Sequence, residues 1–377
     1  MRKICVVSGN RSDYARLKAV LKAIQAREDL ELSLIVIGSH LLPDFGTTID
    51  QIRADGYSVF ATARTIIEGE DPASMSKSIG LGVMELTTLF DTVAPDIVLI
   101  SGDRFEIYSA AIAAAAMNIH LAHLQGGEVT GTFDESVRHS ITKMAHIHFP
   151  ATEGARERII RMGEVPENVH HVGCPSIDLV DSISVVDRET VCLRHGLDPN
   201  GPYVIVIQHA VTTEFEDAGD QVRATLNVVE DMGLRGIMIY PNVDAGSERI
   251  VRAIRHMEEG GKLQRLDKYK HIPVEEFIPL MRHAAVLIGN SSGAIREGSY
   301  IGCPAVNIGT RQNRRERGSN VLDVPHDEDQ IREALKTHLE HGPYPSDPLY
   351  GSGQAGTRVA EILATADLGP VQKTLSY

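Results

Sequence analysis

A chain of 377 residues with 42% hydrophobic and 23% charged residues has ordinary globular composition and is long enough for two or three domains. Its formal net charge of −14 argues against a broad nucleic-acid surface, and its longest apolar stretch, AAIAAAAMNIHLAHL over residues 110–124, is broken by Asn118, His120 and His123 and falls short of a membrane span. An anion bound by so acidic a protein needs its own arginines and helix N-termini.

The opening MRKICVVSGN has one short apolar run and reads as a first strand rather than a secretion signal. Further apolar runs follow at ELSLIVIG (31–38), DIVLIS (96–101) and IHLAHL (119–124). Between them lie stretches with helical spacing, such as Leu81, Met84, Glu85, Thr88 and Leu89. After a polar, turn-rich segment the pattern restarts with YVIVIQ (203–208), GIMIY (236–240), AVLIGN (285–290) and PAVNIG (304–309). Strands alternating with helices predict parallel sheets, and continuous apolar strands predict sheets covered on both faces. The expected fold class is therefore α/β, with two doubly wound Rossmann-like domains facing across a cleft. Their expected bounds are residues 1–182 and 203–351, joined by a linker over 183–202. A tail helix within 352–377, with Val359, Ile362 and Leu363 on one face, is expected to return to the first domain. Four scattered cysteines, Cys5, Cys174, Cys192 and Cys303, form no CxxC pair and read as buried free thiols of a cytoplasmic protein.

Ligands of such sheets bind at the carboxyl ends of the strands. GNSSGAIREG (289–298) follows one strand; Ser291 and Ser292 are expected to open a helix whose backbone N–H groups cradle a phosphate, with Glu297 later on that helix accepting from a ribose. Arg11, Asp103, Arg104, His209 and Arg311 all follow other strands. Neither GxGxxG after the first strand nor GxxxxGK[ST] is present, which disfavours a dinucleotide or P-loop site. HLQGGEVTGTFDESVRH (123–139) places Glu128, Asp134 and Glu135 near one strand exit, with Asp103 on the neighbouring one. Such a carboxylate cluster suits removal of a weakly acidic C–H proton or protonation of a leaving oxygen. Gly126 and Gly127 are expected to let this loop approach the ligand. The bland alternative is a solvated turn with Asp134 as a helix cap. His146 and His148 form an HxH with no evident third ligand, so no metal is expected.

The ordered motifs GDRFE, GGEVTGTFDESVRHSITKMAHIHF, GCPSIDLV, YPNVDAGS, GNSSGAIREG and GTRQNRRERGSNVL resemble the hydrolysing UDP-N-acetylglucosamine 2-epimerases of sialic acid biosynthesis, both the bacterial enzymes and the epimerase domain of the bifunctional animal enzyme. The resemblance implies a GT-B-like fold and a cofactor-free reaction. UDP is eliminated across C1–C2 with loss of the C2 proton, and water then adds to the glycal to release N-acetylmannosamine. It implies catalytic roles for Asp103 and Asp134, and nucleotide-site positions at Arg11, Arg104, His209, Asn242, His271, Ser291, Ser292, Glu297 and Arg311, with His209 also placed in the catalytic set. Gln125 stands where some relatives have Glu. An amide is no general base, so either Glu128 takes that role or Gln125 only orients the substrate. The expected partner is a UDP-sugar, with neither nucleic acid nor membrane, in a homodimer or homotetramer. The alternatives are a hydrolysing epimerase of another nucleotide diacetamido sugar, a non-hydrolysing UDP-sugar 2-epimerase, a glycosyltransferase and an inactive sugar-nucleotide sensor.

Overall fold

The computed structural model describes residues 1–43, 47–69, 71–242 and 244–377. The first half runs β1 (Arg2–Ser8), α1 (Arg11–Gln25), β2 (Leu30–Ile37), α2 (Ile49–Ala54), β3 (Val59–Ala63), α3 (Pro72–Val93), β4 (Ile97–Ser101), α4 (Phe105–Ala116), β5 (His120–Leu124), α5 (Phe133–Met144), β6 (Ile147–Phe149) and α6 (Glu153–Arg161). Helices α7 (Pro175–Ser182) and α8 (Arg188–Arg194) lead to the second half. That half comprises β7 (Val204–Ile207), α9 (Ala218–Asp231), β8 (Gly236–Ile239), α10 (Ser247–Glu259), β9 (Leu266–Tyr269), α11 (Val274–His283), β10 (Val286–Gly289), α12 (Ser292–Ile295), α13 (Glu297–Ile301), β11 (Ala305–Ile308), β12 (Val321–Val324) and α14 (Glu328–His341), and α15 (Ala355–Thr365) follows.

Each half forms a six-stranded parallel sheet, in the orders β3-β2-β1-β4-β5-β6 and β12-β11-β10-β7-β8-β9. Successive strand residues feed opposite layers: Ile4 and Val6 enter one core, Cys5 and Val7 the other. In the second sheet Ile205 and Ile207 face one layer while Val204 and Val206 face the other. This two-sided burial is why the eight central strands stand out as continuous apolar runs. Strands β3, β6, β9 and β12, which no apolar run marked, are the four sheet edges. An edge strand such as LDKY needs fewer apolar side chains because it lies partly in water.

Some local expectations need correction. The helical spacing of Leu81, Met84, Glu85, Thr88 and Leu89 falls within α3, but the face that helix buries is Ser78, Gly82, Leu86, Phe90 and Val93, and Met84 is 70% exposed. The segment 183–202 is more than a connector, since it contains α8, whose Val191 and Cys192 are buried in the second core. Helix α15 buries Val359, Ala360 and Leu363 in the same layer as Leu17 and Leu21 of α1. The Asp178 carboxylate accepts from the backbone N–H groups of Ala355 and Gly356 at 3.0 and 2.7 Å, satisfying donors at the start of α15. All four cysteines are free and buried. No helix among the described residues is long and apolar enough to cross a membrane.

Candidate active site

Because every strand pair is parallel, the loops after the strands leave each sheet on one side. Strand order reverses between β1 and β4 in one sheet and between β10 and β7 in the other. The loops leaving those four strands carry Arg11, Asp103, Ser291 and His209, all of which line one interdomain cleft enclosing about 1480 Å³ of space, part of it open to solvent. Several contacts cross the cleft. The Arg11 guanidinium donates to the Tyr240 carbonyl at 2.9 Å and to the Lys270 carbonyl. Arg104 pairs with Asp244, and Lys18 with Glu275. The Gly131 N–H donates to the Arg311 carbonyl at 3.1 Å. A Cβ at Gly131 would lie 1.9 Å from the Thr310 carbonyl oxygen, so the close approach of the domains there requires glycine.

Among the described residues six arginines line the cleft, Arg11, Arg16, Arg104, Arg296, Arg311 and Arg315, against the four carboxylates Asp103, Asp134, Glu275 and Glu297. The cleft is thus locally cationic inside a protein of net charge −14. The helix expected after GNSS is much shorter than anticipated. Helix α12 spans only Ser292–Ile295, and the chain breaks at Arg296 before α13. A single turn has a weak dipole, so the arginines supply most of the positive potential. The N-cap is Ser291, whose hydroxyl accepts from the Gly293 N–H at 3.3 Å. Glu297 lines the cleft, and its Oε2 is buried without a hydrogen-bond partner among the described residues, an acceptor open to a ligand hydroxyl.

His209 is 7% exposed. Burial, then Arg311, Arg11 and Arg104, push its imidazole well below the ordinary range, so it is neutral near pH 7. Its Nδ1 accepts from the Asn242 backbone N–H at 3.2 Å, which leaves Nε2 to carry the proton. The Asn290 side chain fixes the His209 backbone at both its N–H (2.8 Å) and carbonyl (2.9 Å). His271 and Asn242 line the same cleft; burial and Arg11 lower His271 to about 4.

The carboxylates divide into two groups. Asp103 and Asp134 reach the cleft. The Asp103 carboxylate is ion-paired to Arg138, a guanidinium only 1% exposed. Asp134 is the second residue of α5; Thr132 is the N-cap, its hydroxyl accepting from the Asp134 N–H at 3.2 Å, so Asp134 is not the cap. Burial lifts the Asp134 carboxyl against the pull of Arg104 and Arg311, and the net direction is up. Glu128, expected as a candidate base, does not line the cleft. It is 2% exposed, lies behind the arginines, and pairs with Arg296 at 2.7 Å and Arg315 at 2.9 Å. Gln125 is also outside the lining: it is buried with a left-handed φ of 62°, and its amide donates to the Cys174 Sγ at 2.8 Å. Nor do Gly126 and Gly127 line the cleft. A Cβ at Gly127 would sit 2.3 Å from the Ala155 carbonyl of α6, and one at Gly126 would sit 2.9 Å from the His123 ring. Both glycines let the loop pack on its own domain.

His148 pairs with Glu164 at 3.1 Å and His146 meets the Val371 carbonyl at 2.8 Å. Among the described residues no group of three or more His, Cys, Asp or Glu is placed to hold a metal ion.

The family profile described as UDP-N-acetylglucosamine 2-epimerase matches residues 22–364. The chain belongs to this epimerase family. It is 36% identical to the UDP-N,N'-diacetylbacillosamine 2-epimerase (hydrolyzing) of Legionella pneumophila, over 98% of this chain and 97% of the relative. It is 32% identical to the UDP-N-acetylglucosamine 2-epimerase of Neisseria meningitidis serogroup B, over 96% of this chain and 95% of the relative. The solved Methanocaldococcus jannaschii UDP-GlcNAc 2-epimerase in complex with UDP-GlcNAc and UDP superposes with a TM-score of 0.82 at 16% identity, covering 96% of this chain and 99% of that one. The two parallel-sheet α/β domains are thus those of the GT-B-like epimerase fold.

Sequence reasoning missed three cleft residues of this epimerase, Arg16, Arg296 and Arg315. Two of them stand inside motifs quoted above, GNSSGAIREG and GTRQNRRERGSNVL, where they read as helix or loop charges. Only the burial of their heads beside the cleft distinguishes them: Arg296 is 3% and Arg315 5% exposed.

Proposed function

We propose that this protein is a hydrolysing 2-epimerase of a UDP-2-acetamido sugar, supplying the free 2-epimer for nonulosonate synthesis. The observation that carries this reading is the meeting of Asp103 and Asp134 with six arginines in one interdomain cleft. Two carboxyl groups in unlike surroundings, one ion-paired and one lifted by burial, suit opposite proton-transfer roles. In the first stage a carboxylate takes the C2 proton and the C1–O bond breaks, its electron pair leaving with UDP. A C1–C2 double bond results. In the second stage water adds its oxygen to C1 while a proton returns to C2 from the opposite face. Arg11, Arg311 and the Ser291–Ser292 backbone hold the diphosphate, whose negative charge grows as the bond breaks. Glu297 accepts from the ribose, and neutral His209 donates from Nε2. The names of the Legionella and Neisseria relatives support two sugars, N,N'-diacetylbacillosamine and N-acetylglucosamine.

Incubation with each UDP-sugar in deuterated water tests the reading. Free UDP and free 2-epimer carrying deuterium at C2 are expected, with one of the two sugars clearly preferred. A UDP-linked epimer with no free UDP would favour the non-hydrolysing reaction instead.

A further inference from the structure

Glu128 is a buried carboxylate to which the proposed chemistry gives no work. It leaves the loop after β5 in the first domain, yet both of its ionic partners belong to the second domain. Burial by itself would raise this carboxyl, but Arg296 and Arg315 more than offset it and the net direction is down. An anion wedged behind two guanidiniums cannot reach a C–H proton of a ligand in the cleft. The loop that carries it is held rigidly as well: Arg138 donates to the Glu128 carbonyl at 2.9 Å, and Arg158 donates to the Gly127 carbonyl. The same Arg138 holds Asp103.

The two guanidiniums themselves are only partly satisfied. Nη1 of Arg315 is the atom that meets Glu128, but Nε of Arg296 and Nε of Arg315 have no hydrogen-bond acceptor among the described residues, although both side chains are more than nine-tenths buried and line the cleft. An arginine carries five N–H donors, so each retains donors after meeting Glu128. Buried, unsatisfied donors of fixed orientation beside an interdomain cleft point to an anion as the missing acceptor.

We propose that Glu128 is a positioning residue: from the first domain it fixes Arg296 and Arg315 of the second so that their free N–H groups meet the anionic leaving group of the substrate. The leaving group is a nucleoside diphosphate, and this deepens the epimerase reading and rests on it. Since the charge on that group grows as the C1–O bond breaks, the aligned guanidiniums act mainly in the transition state.

Three proteins decide the matter: Glu128→Gln, Arg315→Met and the double variant. UDP affinity is measured by calorimetry, and turnover with the preferred UDP-sugar is followed across pH. Glu128→Gln should lower kcat on the order of 10²-fold, the cost of a misplaced binding group. Its UDP affinity should stay within about threefold, because removing a competing carboxylate offsets the lost alignment. Both limbs of its pH profile should stay in place. The double variant should be no more than about threefold worse than the worse single variant, because both changes remove one unit. If Glu128→Gln fails to fold, Arg315→Met leaves Glu128 paired with Arg296 and should lower both kcat and UDP affinity, because it removes a donor to the diphosphate itself. Full turnover in Glu128→Gln or in Arg315→Met, effects that multiply in the double variant, or loss of one pH limb would each overturn the proposal, the last by making Glu128 an acid or base. If the unaltered protein neither binds UDP nor consumes either UDP-sugar, the epimerase reading fails first and the proposal falls with it.

Discussion

At the scale of residues, the proposed reaction depends on which carboxyl groups hold protons. Asp103→Asn and Asp134→Asn keep side-chain shape and remove basicity. Each is expected to lower turnover about 10²–10⁴-fold, the usual contribution of a general acid or base, while calorimetric UDP affinity changes little. Retained turnover in both would reduce the HLQGGEVTGTFDESVRH segment to a helix start and a turn. A second buried acid, Asp13, lies under the β1 exit. Burial, with Glu106 beside it, raises it to about 7 against the opposing Arg16 and Arg104. Its folded value exceeds its ordinary 3.8, so its contribution to stability is fully present below about pH 3.8 and is lost as pH rises through 7. Asp13→Asn never ionises. Relative to the unaltered protein it should therefore gain on the order of 1–3 kcal/mol of unfolding free energy between pH 5 and pH 8, measured by denaturant titration at each pH. An equal difference at both pH values would show that Asp13 does not titrate in this range.

At the scale of elements, short strands and their exits set where the chemistry stands. Helix α1 begins at Arg11 behind an Asn10 cap whose side chain accepts from the Ser12 and Asp13 N–H groups, so the arginine sits where the strand ends. Helix α5 begins in the same way behind Thr132, which sets Asp134 in the first turn facing the cleft. Helix α15 comes from the far end of the sequence but fills the layer behind α1, with a Cβ at Gly356 only 2.6 Å from the Ala19 carbonyl. Leu363 is fully buried there. Leu363→Ala should cost about 2–5 kcal/mol of unfolding free energy, the range for a leucine truncated in a packed core. The loss should appear in the first domain, as faster amide exchange in β1 and β2. A change within about 0.5 kcal/mol would show that α15 is only loosely seated.

At the scale of the molecule, the two domains contribute three arginines each to one cleft, Arg11, Arg16 and Arg104 from the first and Arg296, Arg311 and Arg315 from the second. A ligand held by both stabilises the folded protein by mass action, about 2.7 kcal/mol at a concentration of one hundred dissociation constants. UDP is therefore expected to raise the melting temperature in a concentration-dependent way. The rise should shrink as salt increases from 50 to 500 mM, as screening weakens the arginine-lined cleft. Uridine without phosphates should produce little of it. An equal shift from uridine and UDP would mean that the arginines do not bind phosphate.

The sequence by itself determined the eight central strands, because burial on both faces demands unbroken apolar runs such as VIVI and IVLIS. It also placed Arg11, Asp103, Asp134, His209 and Arg311 at strand exits, and parallel topology then carries every such exit to the same side of its sheet. The edge strands carried no apolar run: β3, β9 and β12 lie partly in water, and β6, though buried, is only three residues long with His148 at its centre. Only the tertiary structure decided which carboxylates meet the cleft. Glu128 and Asp134 stand six positions apart in one loop-to-helix segment and look alike as residues, yet one is sealed behind guanidiniums and the other lines the cleft. The difference lies with Arg296, 168 residues further along the chain from Glu128 and in another domain. No local pattern can report such a partner, because the pairing exists only once both sheets have formed and closed on each other.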